Sequence, residues 1–234
     1  MPFAVPSPFL EALKVLARRQ LLPTTMTTDQ LQKLAALVRR HSFFSAQTAI
    51  ESLLEQYKGD VEKILRTETD VTTARLRAKE LLQRINYQPE EGKRGSIEDL
   101  SSDARINLVL KTNRDMMQGA GVFIQGQDPA LLDEFPALEL FRLEERREKR
   151  NWPEIWRGLG GKLFEGGRMI ALKADPIWQE LGNAPDGLGN PFPPFRFGSG
   201  MWTRNVDRRT AERLGLIQPG QKQMPNIQAV FEMF

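Results

Sequence analysis

The 234-residue chain has no cysteine and a single histidine, His41. Without thiols there is no disulfide, no thiolate nucleophile and no cysteine zinc site. With one imidazole, any Ser-His-Asp arrangement would have to run through His41. That residue follows Arg39-Arg40 at the end of a helical pattern. A protonatable ring is favoured there by the negative end of the helix dipole, so a capping or exposed role is expected rather than catalysis. Long apolar runs are missing as well: none approaches the ~18 residues that span a bilayer. The opening Met-Pro-Phe-Ala-Val-Pro lacks a charged then apolar leader, so no secretory signal and no membrane partner are expected, and synthesis in a cytoplasm is. Charge of one sign is not in excess either. Lys and Arg number 33 against 30 Asp and Glu, a net +3, and the two signs are interleaved. A dedicated nucleic-acid binder shows a clustered basic excess instead.

Phosphate-cradling motifs are also lacking. No Gly-x-x-x-x-Gly-Lys-Ser/Thr occurs, and no Gly-x-Gly-x-x-Gly follows a predicted strand. Gly158, Gly160 and Gly161 precede a hairpin signal, which is the wrong element for such a loop. Glu144, Glu145 and Glu148 share a predicted helix face but are interleaved with arginines, which reads as solvated ion pairs. A carboxylate metal site stays open. No cofactor, metal or catalytic residue is assigned, and the chain is expected not to be an enzyme.

What is present centres on Asn190-Pro-Phe-Pro-Pro-Phe-Arg-Phe-Gly-Ser-Gly-Met-Trp202. Its prolines and glycines rule out a helix or a central strand, and its aromatics require apolar cover. A stiff strap on a globular body is expected. Extended side chains alternate, so Phe195 and Phe197 should share one side and Phe192 the other. The outer side would be covered by the C-terminal tail or by another protein. Phe192 and Trp202 are candidate partner-binding residues, as are Phe231 and Phe234 in the apolar tail.

The expected fold class is α+β, mainly α-helical. Residues 1–90 read as a helical module. Ser7-Pro8 opens a helix with Phe9, Leu10, Leu13, Leu16 and Ala17 on one face. Thr27 or Thr28 caps a second helix with Leu31, Leu34, Ala35 and Val38 inward. A third begins at Ser45 and stops near Gly59. A fourth runs from Val61 to Asn86, bent around Thr67–Thr73. Residues 91–101, within the polar, glycine-bearing stretch 88–101, are the expected linker. A domain at 102–217 follows, then a tail at 218–234. The domain opens with a long helix from Asp103 to about Gln125, where Asn113 falls near the buried stripe and should hydrogen-bond a loop. Short helices are expected from Asp128-Pro129 to Phe135, from Ala137 to about Arg147, and from Asn151. Lys162–Leu172 carries a β-hairpin signal around Glu165-Gly166-Gly167. Asp207–Leu214 reads as a last helix.

Arg105-Ile-Asn-Leu-Val-Leu-Lys-Thr-Asn113, followed by Met116-Met-Gln-Gly-Ala-Gly121, resembles a helix of the phage Mu F-type minor head proteins, the phage head morphogenesis family. The later order is similar too: an Arg-rich stretch, Gly161-Lys162-Leu163-Phe164, Asp175-Pro176 with Trp178, then Phe192-Pro193-Pro194-Phe195. The likeness covers about residues 98–215. Many relatives carry Arg-x-x-His and a cysteine pair, where this chain has Arg150-Asn-Trp-Pro153 and Arg196-Phe-Gly-Ser-Gly200, so no metal or thiol role carries over. Thr112, Asn113, Pro193 and Pro194 carry over as framework residues. The resemblance implies a minor virion protein, made in the bacterial host cytoplasm, whose partners are portal and head proteins. Two alternatives compete with it. One is a DNA-contacting or injected virion protein using Arg204, Arg208, Arg209 and Arg213, and the other is a carboxylate-dependent hydrolase.

Overall fold

A computed structural model describes residues 9–34, 36–145, 150–196 and 198–234, with only the backbone at 36 and 37. The fold is mixed α+β and divides into two compact units, Met1–Gly121 and Val122–Phe234.

The first unit is built on helices. Helix α1 (Leu10–Arg18) buries Ala12, Leu13, Val15 and Leu16, an i, i+1, i+3, i+4 stripe. Ser7 and Pro8, expected to open it, lie outside the described residues. Strand β1 (Gln20–Leu21) pairs in parallel with β2 (Ser42–Phe43). Between them the expected single helix is two pieces, α2 (Thr28–Gln32) and α3 (Ala36–His41). Thr27 and Gln30 close a reciprocal capping box at the start of α2. Helix α4 (Glu51–Leu65) begins later than Ser45 and runs straight through Gly59, because its apolar face continues through Val61 and Leu65. The chain then turns at Thr67, whose φ is 60°, and α5 (Val71–Arg84) starts on the Asp70 cap. The bend expected within one helix is thus a break between two.

The expected linker is folded within this unit. Tyr87 accepts from the Leu100 N–H at 3.2 Å, and Asp99 accepts from the N–H groups of Gly95 and Ser101 at 2.8 Å. Lys93 pairs with Glu90 and Glu98. Polar, glycine-bearing residues here satisfy one another in successive turns. The unit boundary falls further along, inside helix α6 (Asp103–Gln125).

The second unit wraps a four-stranded antiparallel sheet of order β4-β5-β3-β6. Helix α7 (Pro129–Glu134), capped by Asp128, leads into β3 (Ala137–Arg142). Helix α8 (Trp152–Gly158), β4 (Leu163–Phe164), β5 (Arg168–Leu172) and α9 (Ile177–Asn183) follow, then β6 (Met201–Val206), α10 (Arg208–Arg213) and α11 (Ile227–Phe231). The hairpin appears where expected, with Gly166 and Gly167 at φ 73° and 74° in its turn. The helix expected from Ala137 is instead the strand at the heart of the sheet. Its alternation is disguised because apolar residues fall on both of its faces. Leu138 and Leu140 face α8, α9 and the strap, while Ala137 faces α10 and Ile217.

Candidate docking surface

The strap is fixed from below by tryptophans. Phe195 is fully buried and stacks on Trp178, with ring centroids 6.0 Å apart, and Trp178 meets Trp156 at 5.4 Å. Each indole N–H reaches a carbonyl at 2.8 Å, Trp156 to Lys162 and Trp178 to Leu172, so both large rings are buried without losing their polar end. Leu188 N–H donates to the Phe195 carbonyl at 2.8 Å, closing the loop that leads into the strap. Gly182 is required in α9, since a Cβ there would collide with the Asn190 backbone. At the far end the Arg196 guanidinium lies over Trp152 and pairs with Asp186, which also holds Arg150. Burial lowers the Arg196 pKa, and Asp186 offsets that only in part.

Phe192 does not face outward. It is 4% exposed and its ring lies 5.8 Å from that of Phe123 in α6. The expectation that it meets a partner is corrected, because the chain's own helix covers that side of the strap. Phe197 lies outside the described residues. Pro193 is buried, Pro194 half-buried, and the bond between them is cis.

Trp202 and Arg204 stand two apart on β6 and therefore share a face of the sheet. Phe141 lies directly across from Trp202, and Glu139 directly across from Arg204. Arg168 grips the buried Glu139 carboxylate with two hydrogen bonds of 3.1 and 2.7 Å, and Arg204 Nε adds a third at 3.0 Å while its guanidinium lies over Phe141. The Arg168 hydrogen bonds, aided by Arg204, outweigh burial and hold Glu139 down to about 2. One carboxylate thus answers two guanidiniums, leaving a half-exposed, aromatic-lined patch with a net positive charge.

Neither a family profile, nor a curated protein, nor a solved structure matches the chain.

The remaining candidates scatter. Arg208 is committed to Asp133 and Glu212, while Arg209 and Arg213 are exposed on α10, so the four arginines do not form one free basic face. Phe231 is 72% exposed and Phe234 partly so. The tail is nevertheless tied down, by buried Met233, by Asn226 N–H to Gln127 and by Gln223 to the Pro136 carbonyl. In the first unit Asn113 is buried as expected, but its amide donates to the Val109 carbonyl of its own helix at 3.0 Å rather than to a loop. Thr112 beside it is half-buried, and His41 ends α3 half-buried. Glu148 lies outside the described residues. Among the described residues no three His, Asp or Glu cluster as metal ligands, and no helix is long and apolar enough to cross a membrane.

Glu139 and Arg168 were not among the sequence candidates. The available signal was Glu139 itself, a lone acid between Leu138 and Leu140, which a strand reading would have turned onto the face opposite those leucines. Lys173 was missed too. It is 8% exposed, its Nζ has no acceptor among the described residues, and burial lowers its pKa to about 8.

Proposed function

We propose that this chain is a minor virion structural protein of a tailed phage or prophage, made in the bacterial host cytoplasm. In this reading it associates with the portal and is needed for head morphogenesis and for DNA packaging or delivery. The observation that carries this is the convergence of the separated pieces of the resemblance. Gly161 packs so closely under Trp156 and Ile177 that no Cβ fits, Lys162 accepts from the Trp156 indole, and Trp178 stacks on Phe195 of the proline-aromatic segment. The order and spacing of those residues therefore have one physical cause, a shared aromatic core, which is how a framework rather than a reactive site keeps a pattern. The surface left outside that framework offers Trp202 with Arg204 on the sheet, and Met224, Ile227 and Phe231 on the tail, as groups for partner proteins.

The DNA-contacting alternative is less well served, since Arg208 already answers Asp133 and Glu212 within the unit. For a hydrolase, the acid at the sheet's centre is a poor choice. Glu139 held at about 2 has no proton to give near neutrality.

Co-expression with the portal and major head proteins of the same genome tests the proposal. The chain should co-sediment with portal rings, and deleting its gene should leave particles without packaged DNA. Normal infectious particles from the deletion, together with no co-sedimentation, would remove the reading.

A further inference from the structure

Strand β6 lies at the edge of the sheet, paired on one side only, with β3. The ladder phase fixes which of its peptide groups are left over. Leu143 N–H donates to the Gly200 carbonyl at one end of the β3–β6 pair, and Lys173 N–H to the Pro136 carbonyl at one end of the β3–β5 pair. Both bonds turn the odd residues of β3 toward β6 and the even ones toward β5. By the register, the peptide groups of Trp202, Arg204 and Val206 face β3, and those of Thr203 and Asn205 face outward. Among the described residues nothing pairs with those outward groups. Thr203 is buried, which raises the cost of leaving its peptide group unmatched.

We propose that the open edge of β6 receives an extended, acidic segment of a partner protein as a fifth strand. Backbone hydrogen bonds to Thr203 and Asn205 would supply the pairing, as in other cases of strand addition. Selectivity would come from the flanking face. Arg204 is 58% exposed and spends only its Nε on Glu139, and Arg168 leaves one Nη unused, so guanidinium donors beyond the shared carboxylate await an acceptor. Phe141 and Trp202 sit beside them as an apolar shelf. A carboxylate-bearing side chain opposite Arg204, with an apolar one two residues away opposite Trp202, fits that face. A second copy of this chain fits it worse, because antiparallel pairing of two β6 edges would bring Arg204 near Arg204 across the two-fold axis. The proposal does not depend on the portal reading and can fail or hold separately from it.

The probe is a labelled extended peptide with glutamate and valine two residues apart on one face and threonine at the intervening positions, compared with its lysine-for-glutamate counterpart, by fluorescence anisotropy on the full chain at low salt. The glutamate peptide should bind at least about tenfold more tightly. Arg204→Glu should reverse the preference; Arg168 still anchors Glu139 in that variant. Asn205→Pro removes an outward N–H without touching the β3 ladder, so it should weaken binding about tenfold with melting unchanged. No binding of the glutamate peptide, equal binding of the two, or indifference to Asn205→Pro overturns the proposal. So does a dimer in sedimentation that Asn205→Pro dissolves, which would assign the edge to a second copy.

Discussion

Arg105 in residues 1–121 and Glu139 in residues 122–234 are both charged groups more than nine-tenths buried, and each is answered differently. Arg105 gives its Nη2 to the Ser45 hydroxyl at 2.7 Å, to the Ala46 carbonyl and to Thr48, all neutral acceptors. Burial accordingly lowers its pKa, and burial alone brings the more deeply enclosed Arg19 to about 10. Glu139 meets two full positive charges, and its pKa moves the other way, further from neutralisation. Neutral oxygens satisfy hydrogen bonds without repaying desolvation, whereas opposite charges do both. The first unit uses its buried arginine to pin the loop after β2. The second uses its buried acid to lock three strands in register.

The largest expected effect lies in the aromatic core that frames the second of these arrangements. Phe195→Ala should cost about 3–5 kcal/mol in urea unfolding, and Phe192→Ala nearly as much, since both rings are enclosed. If Phe192→Ala leaves melting intact yet removes the protein from portal fractions, its side chain belongs to a partner after all.

Glu139→Gln comes next, at about 2 kcal/mol, discounted because both arginines are partly exposed. The pH dependence sharpens the point. A carboxylate held at about 2, against an ordinary 4.5, stabilises the fold fully above about 4.5 and loses that contribution as pH falls toward about 2. Acid titrations of wild type and Glu139→Gln should diverge in stability above that window and converge at its bottom.

Lys173 tests the same rule with the charge left unanswered. Replacing it by methionine should stabilise by about 1–2 kcal/mol, as an uncompensated buried ammonium is removed. Its folded pKa near 8 lies below the ordinary 10.5, so the wild type should gain stability as pH rises between those values, and Lys173→Met should not.

Arg105→Met should change stability by no more than about 1 kcal/mol, because lost hydrogen bonds and a relieved charge oppose each other. A cost equal to that of Glu139→Gln would break the comparison between the units. The smallest effect expected is Gly59→Ala in α4, where a Cβ meets nothing, giving about 0.5–1 kcal/mol of added stability by thermal melting.

Where local chemistry sufficed, the sequence was readable. Thr27, Asp128, Asn151 and Asp207 each accept from a backbone N–H at the start of a helix, a role set by a short polar side chain one turn away, whereas the equivalent caps at Asp70 and Asn226 were not read. The Gly166-Gly167 hairpin and the apolar stripes of α1 and α4 follow from equally short-range rules. Strand β3 was not readable, because apolar residues on both of its faces erase the alternation that marks a strand. Strand β6 was hidden at the end of a proline-aromatic stretch, and the boundary inside α6 was hidden by a helix that is continuous across it.

The sequence by itself determined the capped starts of α2, α7, α8 and α10, the hairpin, the need to cover the aromatics of the strap, and the absence of thiol chemistry. These depend on residues within a turn or two of one another, or on composition alone. Tertiary structure decided which side of the strap is covered by Phe123, that Glu139 is shared by Arg168 and Arg204, and that β6 is an edge. Those outcomes turn on residues 29 to 69 positions apart in the chain, such as Arg168 with Glu139 and Phe192 with Phe123. Sequence spacing carries no trace of such contacts until the sheet has set its register.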